Sequence, residues 1–253
     1  MNKLTRLLPL FFFLLAFSAR MIPGPRTIDD SYITFRYARN ILAGEGFVYN
    51  PGEAILGTTT PLYTLIMVVM GAVSGGTQAP FPELAMLINA LADGLTAVLL
   101  YLMGKHFSQT LAGIGAALAW SVASHSVTFA IGGLETSVVV LLLVGMSYYY
   151  LVGRVTLAAF LASLALLTRP DTILLVGLIA LDHFIRVLKK HHKLYWYDVA
   201  ALILLPLIWY SFATWQFGSP IPHSVQAKMG AYRLSPEEGL IRLLQHYTTP
   251  FMA

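Results

Sequence analysis

What most limits this chain is a succession of apolar runs separated by short polar breaks. After an apolar N-terminus they recur at 84–103, 111–128, 137–152, 155–167, 172–188 and 199–217. A backbone inside a bilayer must satisfy its own hydrogen bonds, so serial apolar runs imply helices that cross or line a membrane. Of the 253 residues, 57% are hydrophobic and only 11% charged. A soluble domain carries about 25% charged residues, so this chain has too little polar surface for water alone. Residues 1–6 are basic, 7–17 apolar and the next few small, which is the outline of a secretory signal peptide. With six further runs downstream, we read it as an uncleaved first membrane helix. The expectation is an all-α, multi-pass transmembrane bundle of about seven spans.

One more run, Pro61–Val73, has about a dozen apolar residues between Thr-Pro and Gly-Gly, and reads as an interfacial or re-entrant helix. Placing the basic stretch 186–193 ("RVLKKHHK") in the cytoplasm supports that choice. With Lys3 and Arg6 inside and Pro61–Val73 not crossing, Lys105, His106, Arg154 and 186–193 all fall inside. Residues 26–60, 132–136, 169–171 and the loop after 217 then fall outside. The outer face thereby collects "IDDSYITFRYARN", "GGLETS", "LTRPDT" and "FGSPIPHSVQAKMG". These segments carry acids and cations beside glycine and proline, so function is expected on that side, at a plasma membrane.

Other function classes lack their residues. The basic side chains form short clusters rather than a nucleic-acid footprint. There is no cysteine, so no disulfide or thiolate metal site is available, and seven scattered histidines show no HExxH spacing; no cofactor is expected, a divalent metal being the less favoured alternative.

Within the first outer segment, residues 23–60, Thr27 and Asp30 have the spacing of a capping box. One acid suffices for a cap, leaving Asp29 or Asp30 for other work. On a helix Asp29, Tyr32, Arg36 and Arg39 would share one stripe, and Ile33, Tyr37 and Ile41 a second that could face the membrane interface. Glu135 stands at the start of an apolar run as an early-turn acid. Arg169 and Asp171 flank Pro170 and could pair with each other. His223 and Lys228 lie in the last outer segment. Carboxylates and cations gathered at a membrane surface suit the removal of a proton from an attacking hydroxyl and the neutralisation of a departing phosphate. Asn89 and Asp93, spaced i, i+4 inside one run, are expected to make structural hydrogen bonds facing the bundle interior.

Together "DDSYITFRYARNILAGEGFVYNPGE", "LGTTTPLY", "GLET", "LTRPD" and "FGSPIPHSVQAK" resemble the GT-C superfamily of polyprenyl-phosphate-sugar-dependent glycosyltransferases, along essentially the whole chain. The likeness is greatest to bacterial arabinofuranosyltransferases, and more distant to the lipid A aminoarabinose transferase and the protein O-mannosyltransferases. It implies that residues 1–253 form a transmembrane catalytic module. The module would move a sugar from a polyprenyl-phosphate carrier to a glycan, lipid or protein hydroxyl. The resemblance places the catalytic base at Asp29 or Asp30, with Asp29 preferred, a second site acid at Glu135, and a phosphate contact at Lys228. Arg36, Arg39, Arg169, Asp171 and His223 are the remaining candidate substrate contacts. Aminoarabinose-type relatives carry a lysine before the proline that starts the short helix, where this chain has Thr60. Members of the superfamily also continue through further helices, so the chain reads as an N-terminal portion. A lipid-linked glycan transporter and a catalytically silent assembly subunit are the rival readings.

Overall fold

The computed structural model describes residues 3–191, 193–225, 238–241 and 245. Within these the chain is helical, with no strand. Its elements are α1 (Lys3–Met21), α2 (Ser31–Leu42), α3 (Pro61–Val73), α4 (Phe81–His106), α5 (Thr110–Val122) and α6 (Ser124–Ile131), followed by α7 (Thr136–Leu151), α8 (Val155–Thr168), α9 (Ile173–Leu188) and α10 (Trp196–Phe217). The expected short helix Pro61–Val73 forms with those bounds, opened by proline at its first position.

The expectation of seven spans is not met. Among the described residues, two helices are long and apolar enough to cross a membrane, Phe81–His106 and Trp196–Phe217. A third exists if Thr110–Val122 and Ser124–Ile131, bent by 48° at their junction, act as one. The other apolar runs are cut short by their own sequence. The 16 residues of α7 rise about 24 Å and the 14 of α8 about 21 Å, against a hydrocarbon core of about 30 Å. Left-handed Gly133 and Gly153 bracket α7, and the Arg169-Pro170 pair ends α8.

The long helix α4 is the centre of the packing, with α1, α5 and α7 against it. Small residues set how closely these neighbours approach. A methyl group on Gly104 would lie 2.4 Å from the Cα of Gly113, so α4 and α5 meet backbone to backbone. A methyl group on Gly94 would lie 2.7 Å from the Phe13 ring of α1. A second core joins α2 and α3 to α4, α7 and α8 through Phe35, Tyr63, Met67, Phe81, Leu142 and Ala165. The helix α9 is the exception: it buries only Val176 and His183.

The bend between α5 and α6 has an identifiable cause. Ala123 is extended there, which frees the last carbonyls of α5. Arg20 of α1 takes them up, donating Nη2 to Trp120 O at 2.9 Å and Nη1 to Ser121 O. The same guanidinium donates to Ser126 Oγ at 2.7 Å on α6, and its Nε to Asp93 Oδ2 at 2.8 Å on α4. Arg20 and Asp93 are both fully buried. The expected interior role of Asp93 thus appears with a partner, Arg20, that sequence reasoning did not single out.

Candidate active-site face

The segments expected to share a face do meet at one end of the bundle. The first loop lies along the end of α6, where the Arg26 N–H donates to Ile131 O at 2.9 Å and the Ile28 N–H to Gly132 O at 3.0 Å. The turn from Gly132 to Glu135 is fastened from below as well. Asn89 of α4 donates its amide to Ala130 O at 2.9 Å and Leu134 O at 2.8 Å, the structural role expected of it. The Tyr63 hydroxyl donates to Gly133 O at 3.3 Å. Gly133 has φ +83°, and a methyl group there would come within 3.2 Å of Thr27 Cγ2 and 3.4 Å of Phe35 and Ser31. Only glycine serves both the turn and the seat of α2. Gly133→Ala should cost about 1–2 kcal/mol from the left-handed backbone alone, and more from displacing α2, read as a lower melting temperature. A variant that melts like the parent would show that α2 is not seated on this turn.

The turn delivers Glu135 to the cap position of α7, at the start of the apolar run as expected, where its side chain makes no capping bond. It is instead 6% exposed and accepts from Arg169 Nη1 at 3.3 Å. Burial pushes the Glu135 carboxyl above its ordinary range, and the Arg169 charge only partly offsets this. Arg169 is held extended by the following proline. It also grips Asp171 through a fork, Nε to Oδ1 at 3.1 Å and Nη2 to Oδ2 at 2.9 Å. The expected Arg169–Asp171 pair is therefore present, with Glu135 as its third member. The guanidinium is 42% exposed between a buried carboxylate and an open one.

Asp29 and Asp30 stand where the chain turns into α2, and both are exposed. The capping box is not formed. Overlapping turns already wind this segment, with the Ser31, Tyr32 and Ile33 N–H groups donating to the carbonyls of Ile28, Asp29 and Asp30. Asp30 occupies the cap position without a side-chain bond, and Ser31 turns its hydroxyl to Ile28 O. Neither carboxylate has a hydrogen-bond or ion-pair partner among the described residues, including the Glu135–Arg169–Asp171 trio.

Three of the four stripe residues come together. Tyr32, Arg36 and Arg39 line a cavity of about 300 Å³ with Phe35, Tyr49 and Phe81. Both arginines also hold local structure. Arg36 donates to Tyr49 O and Asn50 Oδ1, each at 2.8 Å, and stacks 4.4 Å over the Tyr49 ring. Arg39 donates to Thr77 O at 3.1 Å. The second stripe departs from expectation. Tyr37 is fully buried, its hydroxyl donating to Ile55 O and accepting from the Gly57 N–H, both at 2.7 Å. It anchors the first loop rather than facing a membrane.

His223 ties the last segment to the first. Its N–H donates to Leu56 O at 2.8 Å, and its Nδ1 accepts from the Leu56 N–H at 3.3 Å. Sequence reasoning had no signal for this clamp, which spans 167 residues. Thr60 is buried in a hydroxyl cluster with Thr58, 3.1 Å away, and Thr34, 3.5 Å away. Lys228 lies outside the described residues.

No protein-family model matches the chain, and no solved structure matches it. Among curated proteins it is similar to the terminal beta-(1->2)-arabinofuranosyltransferase of Mycobacterium tuberculosis (strain ATCC 25618 / H37Rv), with 27% identity over 222 residues. The match covers 80% of this chain and 35% of that protein, so the chain spans about a third of its relative's length. This distant homology supports a glycosyltransferase relationship, and the apolar helices agree with a membrane location.

Proposed function

We propose that this chain carries the donor-side catalytic face of a plasma-membrane glycosyltransferase, acting outside the membrane on a polyprenyl-phosphate-linked sugar. The observation that carries the reading is the seating of the segment leading into the Asp29–Asp30 turn on the glycine turn that presents Glu135, the ion-pair partner of Arg169. Asp29, exposed and unpaired, takes the proton of an acceptor hydroxyl on a glycan, lipid or protein. That oxygen bonds to the anomeric carbon as the bond from that carbon to the phosphate oxygen breaks, inverting the centre. The lipid phosphate leaves with the electron pair, and Arg169 and Lys228 neutralise it without a metal. Glu135 fixes the Arg169 guanidinium and remains beneath it. Arg36 and Arg39, with Tyr32, bound a cavity where acceptor or carrier groups are met, while Asp171 fixes Arg169 and His223 holds the last segment to the first. A transporter would place polar groups through the bundle, whereas Arg20, Asp93 and Asn89 are engaged with the backbone and with each other.

Membranes bearing the chain, supplied with labelled polyprenyl-phosphate arabinofuranose and a hydroxylated glycan, should release lipid phosphate in step with sugar transfer. Binding of the carrier with no transfer would favour the silent-subunit reading. Cysteine placed at His191, in a chain with no native cysteine, should label from the cytoplasmic side. Labelling only from outside would place the acidic face on the wrong side for this function.

A further inference from the structure

The opposite end of the bundle holds a second cavity, of about 200 Å³, bounded by α7, α8, α9 and α10. Met146, Ala158, Ala162, Val176, Ile179 and Leu202 give it an apolar lining, and the alanines of α8 leave its depth open. Along α9 it runs from Val176 to Phe184, about 12 Å at the helical rise. That is the shape of a slot for a hydrocarbon chain. The helix on its outer side is the lightly packed α9, whose Leu174, Leu178, Leu181 and Leu188 are exposed as on a lipid-facing surface.

Charge identifies the occupant's other end. The link joining α9 to α10, the two helices that bound the slot, carries exposed Lys189, Lys190 and Lys193, with Arg186 one turn earlier. The acids nearby are already engaged. Asp182 accepts from the Tyr150 hydroxyl at 2.6 Å and from Arg186 at 2.7 Å, and Asp198 accepts from Thr156. Four cations therefore stand against two occupied carboxylates beside an apolar slot. Basic clusters of this kind between membrane helices attract anionic headgroups.

We propose that the slot holds one acyl chain of an anionic glycerophospholipid, whose phosphate is met by Lys189, Lys190 and Lys193. The site is separate from the acidic face at the other end of the helices, and its test does not read glycosyl transfer.

The test uses the whole chain in nanodiscs containing phosphatidylglycerol or phosphatidylcholine with a photoreactive acyl chain, followed by mapping of the labelled peptides. Phosphatidylglycerol should label residues 176–184 and 155–162 more strongly than phosphatidylcholine does. A K189Q/K190Q/K193Q variant should lose phosphatidylglycerol labelling there, by about fivefold per lysine removed, and with it the preference between the two lipids. Ala159→Phe, which fills the slot, should reduce labelling by both lipids, with Ala159→Leu as the milder version if the larger ring prevents folding. Equal labelling by the two lipids, unchanged in the lysine variant, would overturn the headgroup assignment. Slot labelling that survives both Ala159 substitutions in folded protein would overturn the slot itself.

Discussion

Arg20→Met is expected to destabilise the protein by about 3–5 kcal/mol, the range for removing one member of a buried ion pair. The arginine is fully buried and serves Asp93, Ser126 and the carbonyls of Ala16, Trp120 and Ser121. Methionine matches its length but donates nothing, leaving an uncompensated carboxylate and two unsatisfied helix-end carbonyls. The double variant Arg20→Met/Asp93→Leu should recover part of the loss, because it removes the stranded charge and leaves only the carbonyls and the Ser126 hydroxyl unpaired. Unfolding in mixed detergent micelles measures both. A single variant as stable as the parent, or a double variant no better than the single, would show that the pair does not hold the bend.

Asp29→Asn should lower sugar transfer by about 10²–10⁴-fold, the usual contribution of a general base, in protein that folds and binds the carrier normally. Asparagine keeps the shape and loses only the ability to accept a proton. Since neither acid makes a side-chain cap, Asp29→Asn should change the melting temperature little, as should Asp30→Asn. That separates the chemical effect from a structural one. Normal transfer by both asparagine variants would remove the carboxylates from the mechanism, whatever became of the homology.

Helix type and many boundaries were legible because they rest on local chemistry. Pro61 starts α3, and proline after Arg169 ends α8 where the sequence says it must. Span number was less legible, since apolar composition tells which residues lipid tolerates and not how long a straight helix they form. Gly133 and Gly153 decide that length for α7 through backbone angles, which hydropathy does not register. The site was legible as a set of segments. Its local bonds were less so: the Thr27–Asp30 spacing fits a cap, yet the chain winds early and Ser31 takes a carbonyl of its own. The longest links left no local trace. His223 with Leu56, and Arg20 with the α5–α6 bend, join residues far apart in the chain, and each looks ordinary beside its neighbours.

The Arg20 cluster also bears on how the protein is made. Its guanidinium emerges 73 residues before Asp93 and 101 before Ser121. At ribosomal speeds of about 5–20 residues per second, the cation waits roughly 5–20 s for its last partners. The packing of the first helix is therefore completed only when α4 and the bent α5–α6 pair have been made. Assembly of this protein has an order written into one side chain.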